Sequence, residues 1–130
     1  MMDEKIKRYN PENEFYIDEG CFILELCNAP EDPEVSIARA RVEPGRTTRW
    51  HRLKGTTERY VILEGEGRVE VGSLPPQNVK AGDFVLIPPM VRQRITNIGR
   101  QDLIFLAICT PGFTAQVYED IENDISPERG

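Results

Sequence analysis

His51 is the only histidine in the chain, and two positions on each side of it decide what chemistry it could do. In an extended strand, residues two apart share a face, so Arg49, His51 and Leu53 point the same way. Lys54-Gly55-Thr56-Thr57 then reads as a four-residue connection. It is expected to bring the chain back as a hairpin, with Glu58 opposite Leu53 and Tyr60 opposite His51. Further on, Val91, Gln93 and Ile95 form one face of a strand, and Arg92, Arg94 and Thr96 the other. The apolar members mark the inward side. One His, one Glu, one Gln and one Tyr are therefore expected to face an apolar interior. A carboxyl in that position is desolvated, which raises its pKa unless a cation or a donor compensates. With His51 or Tyr60 as partner, Glu58 could act as general acid or base, a site suited to isomerising or epimerising a carbonyl compound. The same four residues could equally form a satisfied polar cluster with no catalytic role. Arg49, with inward parity at the mouth, is the candidate for holding an anionic ligand.

The elements that must position these residues are short strands. Apolar, β-branched and aromatic runs alternate with Gly, Pro, Asn and Asp punctuation. Strands are expected near 20–28, 35–42, 47–53, 58–64, 67–72, 83–87, 91–97, 102–110 and 114–118, with a further short one at Phe15-Tyr16-Ile17. Pro44-Gly45, Glu64-Gly65-Glu66-Gly67 and Ala81-Gly82-Asp83 read as turns. Leu74-Pro75-Pro76-Gln77-Asn78 cannot be a central strand, because proline donates no ladder hydrogen bond. No helical period stands out before residue 118. The class is all-β, a sandwich or barrel. The 130 residues read as one domain (1–130), with a polar arm at 1–18, a barrel core at about 20–118 and an acidic tail at 119–130, solvated or forming a short helix.

Both blocks resemble the signature motifs of the cupin superfamily. The first motif runs Gly-x5-His-x-His-x3–4-Glu-x6-Gly, and Gly45, His51, Glu58 and Gly65 fall on it. The second runs Gly-x5-Pro-x-Gly-x2-His-x3-Asn, and Gly82, Pro88 and Asn97 fall on it. The resemblance covers residues 45–97 and implies a double-stranded β-helix, or jelly-roll barrel. In metal-binding cupins the two histidines and the glutamate of the first motif, with the histidine of the second, hold a divalent metal. Here Leu53 stands at the second His, Gln93 at the third, and Met90 at the middle Gly of the second motif. The resemblance then implies a reduced ligand set of His51, Glu58 and Gln93. Three protein ligands with open positions are a catalytic arrangement, and oxygen donors suit Mn or Fe better than Zn. Two other readings stand beside that metal enzyme or binder. One is a metal-free isomerase or epimerase using Glu58 and His51, and the other is a non-catalytic ligand-binding module. In each, Arg49 and Leu53 would line the small-molecule pocket.

Composition bounds the partners. The formal net charge of -6 disfavours nucleic acid. No apolar run reaches the roughly 18 residues of a membrane span. Cys21, Cys27 and Cys109 lie in apolar stretches without metal spacing and read as small buried hydrophobes of a cytoplasmic protein. Trp50 and the arginines Arg52, Arg59, Arg92 and Arg94 face outward by parity. Val61 and Leu63 make the outer face of strand 58–64 apolar, so a cover is expected. Either the arm or a second subunit, giving a homodimer, would supply it.

Overall fold

The computed structural model describes residues 2–124. Eleven strands form two antiparallel sheets: β1 (Phe15–Ile17), β2 (Cys21–Cys27), β3 (Ser36–Val42), β4 (His51–Leu53), β5 (Thr57–Glu64), β6 (Glu66–Val71), β7 (Gln77–Lys80), β8 (Phe84–Ile87), β9 (Gln93–Asn97), β10 (Leu103–Thr110) and β11 (Tyr118–Asp120). One sheet has the order β1-β2-β3-β10-β5-β8 and the other β11-β4-β9-β6-β7. Their inner faces pack on one apolar cluster in which Val42, Ile62, Ile95 and Leu103 are buried. Period-2 alternation is plain in β9, where Gln93, Ile95 and Asn97 are buried and Arg94 and Thr96 half-buried. This is the double-stranded β-helix that the resemblance implied.

Several elements differ from expectation, each for a local reason. β4 pairs with β11 and β9, whereas β5 lies between β10 and β8, so the chain crosses between sheets after Leu53. No β4–β5 hairpin exists. His51 is opposite Gln93 and Asp120, and Tyr60 opposite Ala107 and Val85. The strand expected over 47–53 is reduced to residues 51–53. Upstream, the Thr48 hydroxyl accepts from the Ile95 amide at 3.0 Å, and the Arg49 amide turns away to the Glu19 carbonyl at 2.9 Å. At 91–97 the ladder starts only at Gln93, because Met90 sits at φ 68 in a turn that hydrogen-bonds the Val91 amide to the Pro88 carbonyl. β7 is an addition to the expected strands. It follows Pro75-Pro76 and is an edge strand, the position that tolerates prolines beside it.

Near the C-terminus, residues 115–117 form a 3-10 turn rather than a strand, and Glu119 and Asp120 belong to β11 rather than to a tail. A second 3-10 turn spans Glu122–Asp124, with Ile121 buried beside it. The rest of the acidic segment, 125–130, lies outside the described residues. The arm is tied down by Glu14, which accepts three hydrogen bonds from the Arg41 guanidinium at 2.7–3.2 Å. It supplies β1 and packs on the β2–β3 side, away from Leu63, which stays 41% exposed. Cys21 and Cys109 are buried, whereas Cys27 is only half-buried.

The motif glycines serve unequal purposes. At Gly65, φ is +86 and an added Cβ would lie 2.7 Å from the Asp102 carbonyl oxygen and 2.9 Å from the Leu103 Cα. The β5–β6 turn is thus pressed against the backbone entering β10. Gly45 and Gly82 also have positive φ but meet nothing within 4 Å, so only their backbone conformation calls for glycine.

Candidate active site

Between β1–β3, β10 and β5 on one side and residues 113–120 on the other lies a cavity of about 530 Å³. Glu58 and Tyr60 project into it from β5 because even positions of that strand face inward. Tyr118 and Asp120 close it from β11, and Glu19 enters from the turn between β1 and β2. His51 and Gln93 sit behind this wall, side by side on neighbouring strands, and are almost wholly buried.

Glu58 is 9% exposed, and its Oε1 has no hydrogen-bond partner. Its Oε2 accepts a long contact from the Cys109 thiol at 3.8 Å. Burial pushes the Glu58 pKa up to about 7. The charge of His51 opposes that shift, Glu19 reinforces it, and the Gln93 amide and Cys109 thiol oppose it further. A carboxyl poised there can both release and accept a proton near neutrality. Burial, with the charge of Glu58 next, holds Tyr60 well above its ordinary value, so its phenol stays protonated. That phenol donates to Gln93 Oε1. Burial also lifts the Tyr118 phenol, and the Cys109 thiol is pushed up to about 12 by burial and by Glu58. Neither is a thiolate or phenolate nucleophile.

His51 is fixed from two directions. Its Nδ1 lies 2.7 Å from the Arg49 carbonyl oxygen, which can only accept, so Nδ1 carries a proton. The ring stacks on Tyr118 at a centroid distance of 5.2 Å. Nε2 is left facing Glu19 Oε1 at 3.7 Å. Burial raises the Glu19 pKa, against the pull of His51. Glu19 escapes sequence reasoning because it lies in a polar turn without periodicity. Tyr118 and Asp120 escape it because they sit at the start of an acidic segment.

Besides His51 and Gln93, which lie behind the wall, two further residues expected in the pocket do not border it. Leu53 is buried and its carbonyl accepts from the Met90 amide at 2.8 Å, but it does not border the cavity. Arg49 is turned outward, with Nε 2.6 Å from Asp120 Oδ2, so its charge is spent on a protein carboxylate. Outward parity does hold for Arg92 and Arg94. They stack on the Trp50 ring at 4.8 and 4.4 Å and bury it without a partner subunit.

As a ligand set for Mn, Fe or Zn, His51, Glu58 and Gln93 fall short. Gln93 offers a single neutral amide oxygen, a weak ligand that already accepts from the Tyr60 hydroxyl. The free end of that amide is Nε2, a donor with no affinity for a cation. Leu53 supplies hydrocarbon at the next position. Among the described residues, no group of three His, Cys, Asp or Glu side chains converges on one point. The donor set does not fit a divalent ion.

The Cupin domain family model matches residues 38–109. An uncharacterized protein of Methanocaldococcus jannaschii is 32% identical over 121 residues, which is 92% of this chain and 91% of that protein. Among solved structures, a predicted oxalate decarboxylase from Thermotoga maritima is 29% identical with a TM-score of 0.64, covering 70% of this chain and 80% of its own. The Streptomyces nucleoside dehydratase Pac13 has a TM-score of 0.74 at 18% identity, covering 91% of this chain and 92% of its own, a likeness of fold.

Proposed function

This chain belongs to the cupin family, and from that premise we propose that it is a metal-free enzyme that moves a proton on a small carbonyl compound. The observation that carries this reading is the Glu58 carboxyl. It is buried at the cavity wall with one oxygen lacking any protein partner and a pKa of about 7. In the proposed step, Glu58 as carboxylate takes the proton from the carbon next to the carbonyl. The electron pair of that C–H bond becomes the new C=C bond, and the carbonyl π pair moves to oxygen. The protonated Tyr118 phenol, on the opposing sheet, is the donor for that oxygen. For a compound with a hydroxyl on that carbon, Glu58 returns the proton to the former carbonyl carbon while the hydroxyl proton passes to the Tyr118 oxygen and the new C=O forms there, which is isomerisation. Return to the other face of the first carbon after the enol has turned over, with the enol proton going back to the Tyr118 oxygen, is epimerisation. Tyr60 and Gln93 hold the floor, and His51 orients Glu19 and Tyr118. Such a step uses no redox partner, so no cofactor is needed to balance it.

The experiment is solvent exchange. Neutral aldoses, ketoses and other small carbonyl compounds are incubated with untagged protein in D2O and followed by proton NMR. Deuterium wash-in at the carbon beside the carbonyl is expected for at least one compound and is lost in Glu58→Gln. Elemental analysis after exposure to Mn, Fe and Zn is expected to give below about a tenth of an equivalent. Exchange that survives in Glu58→Gln would sink the role of Glu58. Stoichiometric metal released by His51→Ala would restore the reading with His51, Glu58 and Gln93 as ligands.

The same proposal includes a homodimer in a reducing, cytoplasmic setting. Its support is the apolar β8 edge, where Phe84 and Leu86 are 61% and 53% exposed beside Leu63, together with three free cysteines. A monomer mass by light scattering at micromolar concentration would remove the dimer.

A further inference from the structure

The side chains around the cavity carry a charge pattern that the proton-transfer reading does not require. Among the described residues, five carboxyl groups border it, Asp18, Glu19, Glu25, Glu58 and Asp120, and no lysine or arginine does. Arg49, the nearest candidate, is held outside by Asp120. Asp120 is neutralised by that pair, and Glu25 accepts from the Asn28 amide at 3.0 Å, which leaves its charge in place. Asp18 and Glu25 stand at the exposed rim, with Glu19 deeper. Glu58 lies at the wall, nine-tenths buried, with Oε1 lacking a partner.

The remaining surface is aromatic and aliphatic. Phe15, Phe105, Phe113, Tyr60 and Tyr118 all present ring surface to the cavity. Ring faces carry a negative quadrupole and attract cations. A low-dielectric wall between two sheets strengthens both attraction and repulsion. A carboxylate or phosphate entering here would meet Asp18, Glu19, Glu25 and Glu58, four acids with no lysine or arginine partner. It would also lose its water with nothing to replace it. A protonated amine would find the reverse: carboxylates at the rim to steer it, rings beside it, and the Glu58 carboxyl in the wall.

We propose that this pocket is selective for a small organic cation, a protonated amine on an apolar or sugar-sized body, and rejects carboxylates and phosphates of the same shape. The inference rests on the proposed active site and names its substrate class: an amino-carbonyl compound in place of an acid or a sugar phosphate. It reverses the assignment of Arg49 as an anion-holding residue.

The test is a trio of matched shape: phenethylamine, phenethyl alcohol and phenylacetate, titrated into the full chain at pH 7 and followed by ligand-observed NMR. The expected order is amine, then alcohol, then carboxylate, with about tenfold between the amine and the carboxylate or more. Glu19→Gln is expected to weaken the amine about tenfold and leave the alcohol unchanged. Because Glu19 is packed, a rim double variant, Asp18→Asn with Glu25→Gln, is measured alongside it. It is expected to reduce the salt dependence of amine binding without altering thermal stability. Equal affinities across the trio, tighter binding of the carboxylate, or no binding of the amine would overturn the proposal. These outcomes are distinct from a failure of proton transfer. A pocket that prefers the amine but shows no Glu58-dependent exchange keeps the charge selection and loses the reaction. A pocket that binds phenylacetate while Glu58 exchanges deuterium does the opposite.

Discussion

Replacing Glu58 by Gln is expected to make the protein more stable and less active at once. The sign follows from proton binding. The native carboxyl titrates at about 7 and the free one at 4.5, so between those values the folded state holds more protons than the unfolded one. The stability from this group is fully present below pH 4.5 and is lost as pH rises through about 7. Above that, the wild-type protein bears a cost of about 3 kcal/mol, because each tenfold change in proton affinity is worth about 1.4 kcal/mol. The amide of Gln keeps the shape of the acid and never ionises, so this cost is removed. Urea denaturation at pH 5 and pH 8.5 is the measurement. The difference between variant and wild type should grow by about 2–3 kcal/mol over that interval. Glu19, whose pKa is also raised, shifts both proteins in the same direction, and its charge adds to the Glu58 shift in the wild type alone. Proton transfer should fall by about 10²–10⁴-fold. A difference that is flat with pH would mean that Glu58 is not desolvated as its burial implies. A gain in stability paired with a loss of turnover is the mark of a functional group held at a cost to the fold.

The second large effect lies at Asn97. Its Nδ2 donates to the Val42 and Gln101 carbonyls, each at 2.8 Å, and its Oδ1 accepts from the Gly99 amide at 2.8 Å. The residue is 1% exposed, and its bond to the Val42 carbonyl is buried, whereas those with Gln101 and Gly99 are part-buried. Asn97→Ala removes all three bonds, orphans the Val42 carbonyl and is expected to cost about 2–4 kcal/mol. Asn97→Asp tests the geometry more sharply. It keeps the acceptor for Gly99 but turns the other oxygen toward two carbonyls that need a donor. It should destabilise as much as alanine or more above pH 5, even though its shape is unchanged. If Asp were tolerated, the two carbonyls must be satisfied in another way. Neither variant touches the cavity, so any folded fraction should bind ligand normally.

These two residues divide what could be read in the sequence from what could not. Asn97, Gly65 and Pro88 matched their motif because they make turns and ties between strands at fixed points of the barrel. Their match to the cupin motifs therefore carried the barrel, which the strand pattern by itself left open to a sandwich. Parity carried the inward set as well: His51, Glu58, Tyr60 and Gln93 all face the interior. Parity says which face a residue is on but not which sheet its strand joins. That is why the expected β4–β5 hairpin does not exist, and why Arg49 is engaged by Asp120 across a pair with β11. Glu19 and Tyr118 come from a turn and from an edge strand distant in the chain, and nothing in their own neighbourhoods marks them. β7 was hidden by the prolines that precede it.

The place of β10 has a consequence for how the chain reaches this structure. β10 lies between β3 and β5 and hydrogen-bonds to both along its length. Until it arrives, those two strands have no partner on the sides it will fill, and much of the molecule has already been made by then. Loop closure over such distances is entropically slow. On the ribosome, β3 and β5 therefore wait with open edges, and β5 does so with an apolar outer surface at Val61 and Leu63. That waiting period is when neighbouring copies could zip together. The last strand of this sheet to be synthesised is thus also its lock, and aggregation during synthesis is set by the delay before β10 inserts.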